Sequence, residues 1–130
     1  MTDVNEDLVR QAYQAFADGD MDTLGAMFAP DAVHVAPGNS QVAGEYHGAD
    51  AILGYYGTLF ELSDGTFAAE LQSVRSAGDD TVVATHRDTG RRGDATLDQD
   101  EDLAFTISDG KFTRLVETHS DQATYDAFWS

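Results

Sequence analysis

Hydrophobic positions recur at helical spacing through the first half of the chain and at strand spacing through the second. Between residues 6 and 18, Leu8, Val9, Ala12, Tyr13 and Phe16 fall at i, i+1, i+4, i+5 and i+8, one apolar stripe of an amphipathic helix. Gly19 and Asp20 end it, and Asp20 is placed to cap a short second helix with Leu24, Met27 and Phe28 inward and Pro30 closing it. Ile52, Leu53, Tyr56, Leu59 and Phe60 repeat the pattern and predict a third helix over 49–62. Gly54 and Gly57 lie inside that helix, each costing about 1 kcal/mol relative to Ala. They imply either a close neighbour or a loose helix.

After Gly65 the period drops to two. Strands are predicted over 66–76, 81–89, 96–107 and 111–119, separated by the turn-rich segments AGDD, TGRRGD and SDGK. Two shorter strands, 32–36 and 43–46, lie between the helices, and DQATYDAFWS reads as a short terminal helix or lid. Helices followed by antiparallel strands predict one α+β domain over residues 1–130, with helices packed on one face of a sheet.

Composition narrows the chemistry. The chain has no Cys, which excludes disulfides, thiolate nucleophiles and Cys-ligated zinc. No apolar run approaches the roughly 18 residues of a membrane span, and MTDVNEDLVR lacks the basic and apolar regions of a signal peptide. The expected compartment is the cytoplasm. Acidic residues number 24 against seven basic ones, a formal charge of -17 that repels nucleic acids and anionic membranes alike. A salt-rich cytoplasm fits such a charge, and so does a merely acidic protein.

The stretches YQAFADGDMDTLGAMFAPDAV, HVAPGNSQVAGEYHGADAI, FTISDGKF and DQATYDAFW, in that order, make the chain resemble the nuclear transport factor 2-like superfamily, in its SnoaL-like branch with the ketosteroid isomerase relatives. The resemblance implies a cone-shaped roll. N-terminal helices pack in the concave face of a strongly curved, mainly antiparallel six-stranded sheet, a pocket opens inside the cone, and a homodimer forms through the sheet. It also implies a base just before a Pro at the end of the first strand, but Ala36 precedes Pro37 here, which speaks against steroid isomerisation. The second acid of those isomerases aligns with Leu103 by the apolar face, or with Asp102 when counted from Gly110; strand parity favours Leu103 as the inward residue.

Parity also sorts the ionisable groups, since successive side chains alternate across a sheet. Leu97, Leu103, Phe105 and Ile107 share a face and carry Glu101 inward, leaving Asp98, Asp100 and Asp102 to solvent. Val82 and Ala84 carry His86 inward and leave Arg87 outside. The resemblance places Leu115, Glu117 and His119 on the pocket face, opposite Phe112 and Val116. His34, in the parity of Ala36, projects into the cone near its mouth. Tyr13, Phe16, Tyr56 and Trp129 read as pocket wall and core.

Three inward His and two inward Glu must pair or line a wet cavity, because burying them unpartnered costs several kcal/mol. They suit general acid–base chemistry on an apolar carbonyl compound: His34 or His119 as base, Glu101 or Glu117 as acid or orienting group, and Tyr13 stabilising a carbonyl oxygen. A non-catalytic binding module and a closed, self-satisfied core are the competing expectations. DQDED lacks the Gly and distal Glu of a calcium loop, GNSQVAG opens no helix as a phosphate loop does, and no close-spaced H-x-H pair supports a metal. Neither metal nor other cofactor is expected. The net charge predicts a melting temperature that rises from low to multimolar salt, as the Debye length falls from about 10 Å at 0.1 M to about 3 Å at 1 M. A flat or falling dependence would show that self-repulsion is not a significant cost.

Overall fold

The computed structural model describes residues 3–130; Met1 and Thr2, where the leader reading and the predicted domain begin, lie outside them. Asp3 starts helix α1 (Val4–Asp18), its carboxylate accepting from the backbone N–H groups of Asn5 at 2.9 Å and Glu6 at 3.1 Å. Gly19, at φ 71°, ends it in the left-handed conformation that glycine adopts without strain. Asp20 caps α2 (Met21–Ala26) through the Thr23 N–H at 3.2 Å. Helix α3 (Ala49–Leu62) keeps its predicted bounds, and α4 (Gln122–Trp129) closes the chain behind an Asp121 cap.

Six strands form one sheet: β1 (Phe28–Ala36), β2 (Gly44–His47), β3 (Ala68–Ser76), β4 (Thr81–Arg92), β5 (Ala95–Ser108) and β6 (Lys111–His119). Their order is β2-β1-β6-β5-β4-β3, antiparallel throughout except where β1 runs parallel to β6. The architecture is α+β, with the helices against the inner face of a curved, unclosed sheet. Val9, Ile52, Leu97, Phe112, Leu115 and Trp129 are among the most deeply buried side chains between the two layers.

Three expectations are corrected. Phe28, expected on the inner face of the second helix, begins β1 instead, and Pro30 lies within that strand. The Met27 carbonyl accepts from the Phe112 N–H at 2.9 Å, so pairing with β6 takes the chain away from the helix. TGRRGD is not a loop. Strand β4 runs on to Arg92, paired with Ala95, and Gly93 at φ 58° allows the tight two-residue turn. Arg92 then donates to the carbonyls of Leu62, Phe128 and Ser130, joining the ends of α3 and α4. Finally, Phe112 is on the inner face with Leu115, not opposite it. The register between β5 and β6 shifts from Thr106↔Arg114 to Ile107↔Phe112, a bulge that reverses the parity.

Gly54 and Gly57 have no close neighbour: a Cβ built at either would meet nothing within 4 Å. Both are exposed on α3. Gly54→Ala and Gly57→Ala are therefore expected to raise unfolding stability by about 1 kcal/mol each, read from urea denaturation. A loss of stability in either variant would show that these positions serve something other than the helix.

Candidate functional site

Opposed residues on neighbouring strands project to the same side of a sheet. His86 on β4 stands opposite Glu101 on β5, and Glu101 opposite His119 on β6, so three ionisable side chains form one row. Beside this row Leu103 stands opposite Glu117, and Leu115 is paired with His34 of β1. The two-residue period adds Asp88 to the same face as His86. His34, His86, Asp88, Glu101, Glu117 and His119 are all buried, with no more than 8% of any residue exposed.

Their contacts form two similar relays. In the first, the Tyr56 hydroxyl lies 3.0 Å from His34 Nδ1, and His34 Nε2 lies 2.5 Å from Glu117 Oε2. In the second, the Tyr13 hydroxyl lies 2.5 Å from His86 Nδ1, and His86 Nε2 lies 2.9 Å from Asp88 Oδ1. Each is a tyrosine, an imidazole and a carboxylate in line, an arrangement in which the carboxylate fixes the tautomer of the ring. Glu117 collects two further donors, the Tyr55 hydroxyl at 2.6 Å and His119 Nε2 at 2.8 Å.

The two glutamates are driven apart electrostatically. Burial raises the Glu101 carboxyl well above the ordinary carboxylate range, and the charges of Glu117 and Asp88 push it further up. Burial acts upward on Glu117 as well, but there the hydrogen bonds from His119 and His34, with their charges, prevail and bring it down to about 2. The shifts therefore favour the protonated form of Glu101 and the anion of Glu117. Burial, with nearby carboxylates second, also holds Tyr13, Tyr55, Tyr56 and Tyr125 well above the ordinary phenol range, so each keeps its proton.

A cavity of about 70 Å³ adjoins this polar wall. It has room for roughly five waters at about one per 10–15 Å³, against the roughly 300 Å³ or more of a drug-sized ligand site. His34, His86, Glu101 and Glu117 line one side, and Phe16, Leu59, Phe67 and Phe105 are among the apolar liners. Tyr13, Phe16 and Ala69, the liners that are only half-buried, mark where it meets solvent. Behind this wall, Asp88 Oδ2 and His119 Nδ1 have no hydrogen-bond partner among the described residues.

A family model described as SnoaL-like domain matches residues 9–115. The chain belongs to the SnoaL-like family. It is 37% identical over 128 residues to the uncharacterized protein Rv0034 of Mycobacterium tuberculosis strain H37Rv, with 98% of each chain covered. It superposes on Bal32a, from a soil-derived mobile gene cassette, with a TM-score of 0.94, 35% identity and coverage of 98% of this chain and 97% of the other. A polyketide cyclase candidate from Sinorhizobium meliloti, SMa1630, superposes with a TM-score of 0.71 at 27% identity, covering 86% of this chain and 94% of that one. The SnoaL-like family thus embraces proteins assigned to small-molecule chemistry.

Of the residues singled out from sequence, Tyr13, Phe16, His34, Tyr56, His86, Glu101, Leu103, Leu115 and Glu117 all reach the cavity. His119 does not. It stands behind Glu117, stacked on Tyr125 with ring centroids 3.6 Å apart, so it meets Glu117 rather than the cavity. Trp129 is likewise fully buried away from the cavity, packed on Phe67 and Phe128, one helical turn beyond the lining residue Tyr125. His34 is 2% exposed, an interior residue rather than one at the mouth. Asp88, Tyr55 and Tyr125 were missed. The alternation that carries His86 inward also carries Asp88, and Tyr55 completes the stripe of Ile52 and Leu59 at i+3 and i+4.

Opposite shifts give opposite pH dependences. Glu117, lowered in the fold, contributes stability present above its ordinary value of 4.5 and lost as pH falls towards about 2. Glu117→Gln is expected to cost about 3 kcal/mol at pH 7, from about 1.36 kcal/mol per pH unit, with the cost shrinking below pH 4.5. Glu101, raised in the fold, is most favourable below 4.5 and costs stability as pH rises above it. Glu101→Gln should therefore be more stable than the unchanged protein at pH 7 in EDTA, with the gain vanishing below pH 4.5. Urea denaturation across pH 3–8 checks both signs.

Proposed function

We propose that this SnoaL-like protein is a small-molecule enzyme that performs general acid–base chemistry on an apolar carbonyl compound bound in the cone cavity. What carries the reading is the pair of glutamates whose proton affinities are shifted in opposite directions against one cavity, beside two tyrosine–histidine–carboxylate relays. Titratable groups with environments that separate their proton affinities are what acid–base catalysis requires.

The roles follow from donor and acceptor geometry. Glu117 accepts from His34 Nε2–H; in the neutral ring, the form that acts as base, Nδ1 is the basic nitrogen and the Tyr56 hydroxyl donates to it. A substrate C–H proton passes to the Tyr56 oxygen as the Tyr56 hydroxyl proton passes to His34 Nδ1, so Tyr56 ends unchanged and His34 becomes an imidazolium beside the Glu117 anion. Tyr13, turning from His86 Nδ1 when substrate binds, donates to the carbonyl oxygen where negative charge develops, and Glu101, protonated, returns a proton at a second position. His119 and Tyr55 hold the Glu117 carboxylate in place from behind and from α3. This sequence moves protons only, which suits isomerisation, cyclisation or dehydration. A substrate larger than the present cavity enters by displacing the half-buried Tyr13 and Phe16 at its rim.

Deuterium exchange tests the reading without knowledge of the natural substrate. A panel of small cyclic ketones and β-diketones in D2O is followed by proton NMR. At least one should lose its α-proton signal faster with the protein than with buffer, and His34→Gln should slow that exchange about 100-fold or more. Equal rates in the variant, or no acceleration across the panel, would overturn the catalytic role and favour a ligand-binding one.

A further inference from the structure

The row of His86, Glu101 and His119, with Asp88 beside it, contains more than the two relays use. His119 Nε2 is committed to Glu117, and Nδ1 has no hydrogen-bond partner among the described residues. That nitrogen faces Glu101 Oε1 at 3.5 Å and Asp88 Oδ2 at 3.9 Å, and Asp88 Oδ2 also lacks a donor among the described residues. Both side chains are fully buried. Two buried polar atoms thus lie without partners beside Glu101. Such an arrangement is costly unless a further group stands among them.

We propose that His86, Asp88 and Glu101 hold a divalent first-row transition-metal cation on the inner face of β4 and β5, with His119 of β6 beside Glu101. Donor atoms about 2.1 Å from a tetrahedral or octahedral ion stand about 3.0–3.4 Å from one another. Two separations are of that size: His86 Nε2 to Asp88 Oδ1 2.9 Å and His86 Nε2 to Glu101 Oε1 3.4 Å. The second is too long for a good hydrogen bond and right for two ligands of one ion. One donor atom each from His86, Asp88 and Glu101 lie within 4.8 Å of one another, and His119 Nδ1 stands 3.5 Å from Glu101 Oε1.

The surroundings support the same occupant. His86 has its other nitrogen fixed by a hydrogen bond, Nδ1 to the Tyr13 hydroxyl, as metal-bound histidines do. One imidazole and two carboxylates neutralise a dication and are a donor mixture suited to Zn²⁺, Fe²⁺ or Mn²⁺. The ligands come from two adjacent strands, which is why no H-x-H pair announces them. The cation takes the places that protons hold on His86 Nε2 and Glu101 in the acid–base reading, so the two describe different states of the site, and the readouts here are stoichiometry and spectra rather than turnover.

The full chain is stripped with EDTA, equilibrated with Zn²⁺ in about 0.5 M NaCl to screen the acidic surface, desalted and analysed for metal. One equivalent should remain. Asp88→Asn and Glu101→Gln should each lower retention about tenfold or more, while Glu45→Gln, at an exposed glutamate beside His47, should leave it unchanged. Retention of well under one equivalent, or equal retention in all variants, overturns the proposal in favour of a buried water or proton. Mn²⁺ added to the unsubstituted protein supplies a second readout that needs no variant. It should broaden the imidazole signals of His86 and His119 before that of exposed His47; the reverse order, or simultaneous broadening, also overturns the proposal.

Discussion

A buried carboxylate anion without water must be surrounded by donors, and Glu117 imposes that requirement on the whole fold. Its two oxygens take hydrogen bonds from His34 on β1, Tyr55 on α3 and His119 on β6. Those three partners belong to three different elements, so the anion can be satisfied only when helix and sheet are docked in one relative position. Leaving such a charge unpaired costs on the order of 3–5 kcal/mol, a large part of the 5–15 kcal/mol that typically separates folded from unfolded chains. Apolar packing brings the layers together, and Glu117 makes the register between them specific.

The same sheet treats acidic residues in two different ways on its two faces. On the outer face, Asp98, Asp100 and Asp102 pair with Arg87 and Arg75 at the surface, where each contact is worth about 1 kcal/mol or less. On the inner face, Asp88, Glu101 and Glu117 meet imidazoles and phenols in a medium that screens little. Large charge asymmetry outside coexists with chemically differentiated charge inside because the alternation of β5 separates one set from the other. Of the four acids among the five residues from Asp98 through Asp102, only Glu101 faces inward.

Much of this was legible in the chain because strand parity is a rigid rule. The faces of β4 and β5 follow directly from Val82, Ala84, Leu103 and Phe105, and they deliver His86 and Glu101 to the interior. The rule failed at β6, where the bulge beside Ile107 inverts Phe112, since an extra residue in a ladder leaves no hydrophobic signature. It also says nothing about depth. His119 and Trp129 both point inward, yet one is shielded by Glu117 and the other lies beyond the end of the cavity. Helix facing was clear only to within one residue: Tyr55 and Tyr56 are both buried, and only the fold reveals that the former meets Glu117 and the latter His34.

The parallel pairing of β1 with β6 has a consequence for how the molecule assembles. His34 and Glu117 are 83 residues apart, and the strands that carry them are neighbours in the middle of the sheet. During synthesis β1 must wait, its inward histidine unpartnered, until residue 117 has emerged. Closing so long a loop has a high entropic cost and slows folding relative to chains built on local contacts. The hairpins β3–β4 and β4–β5, by contrast, need only nearby residues. The chemical centre of this protein is therefore completed late in its folding, after the scaffold on its far side can already stand.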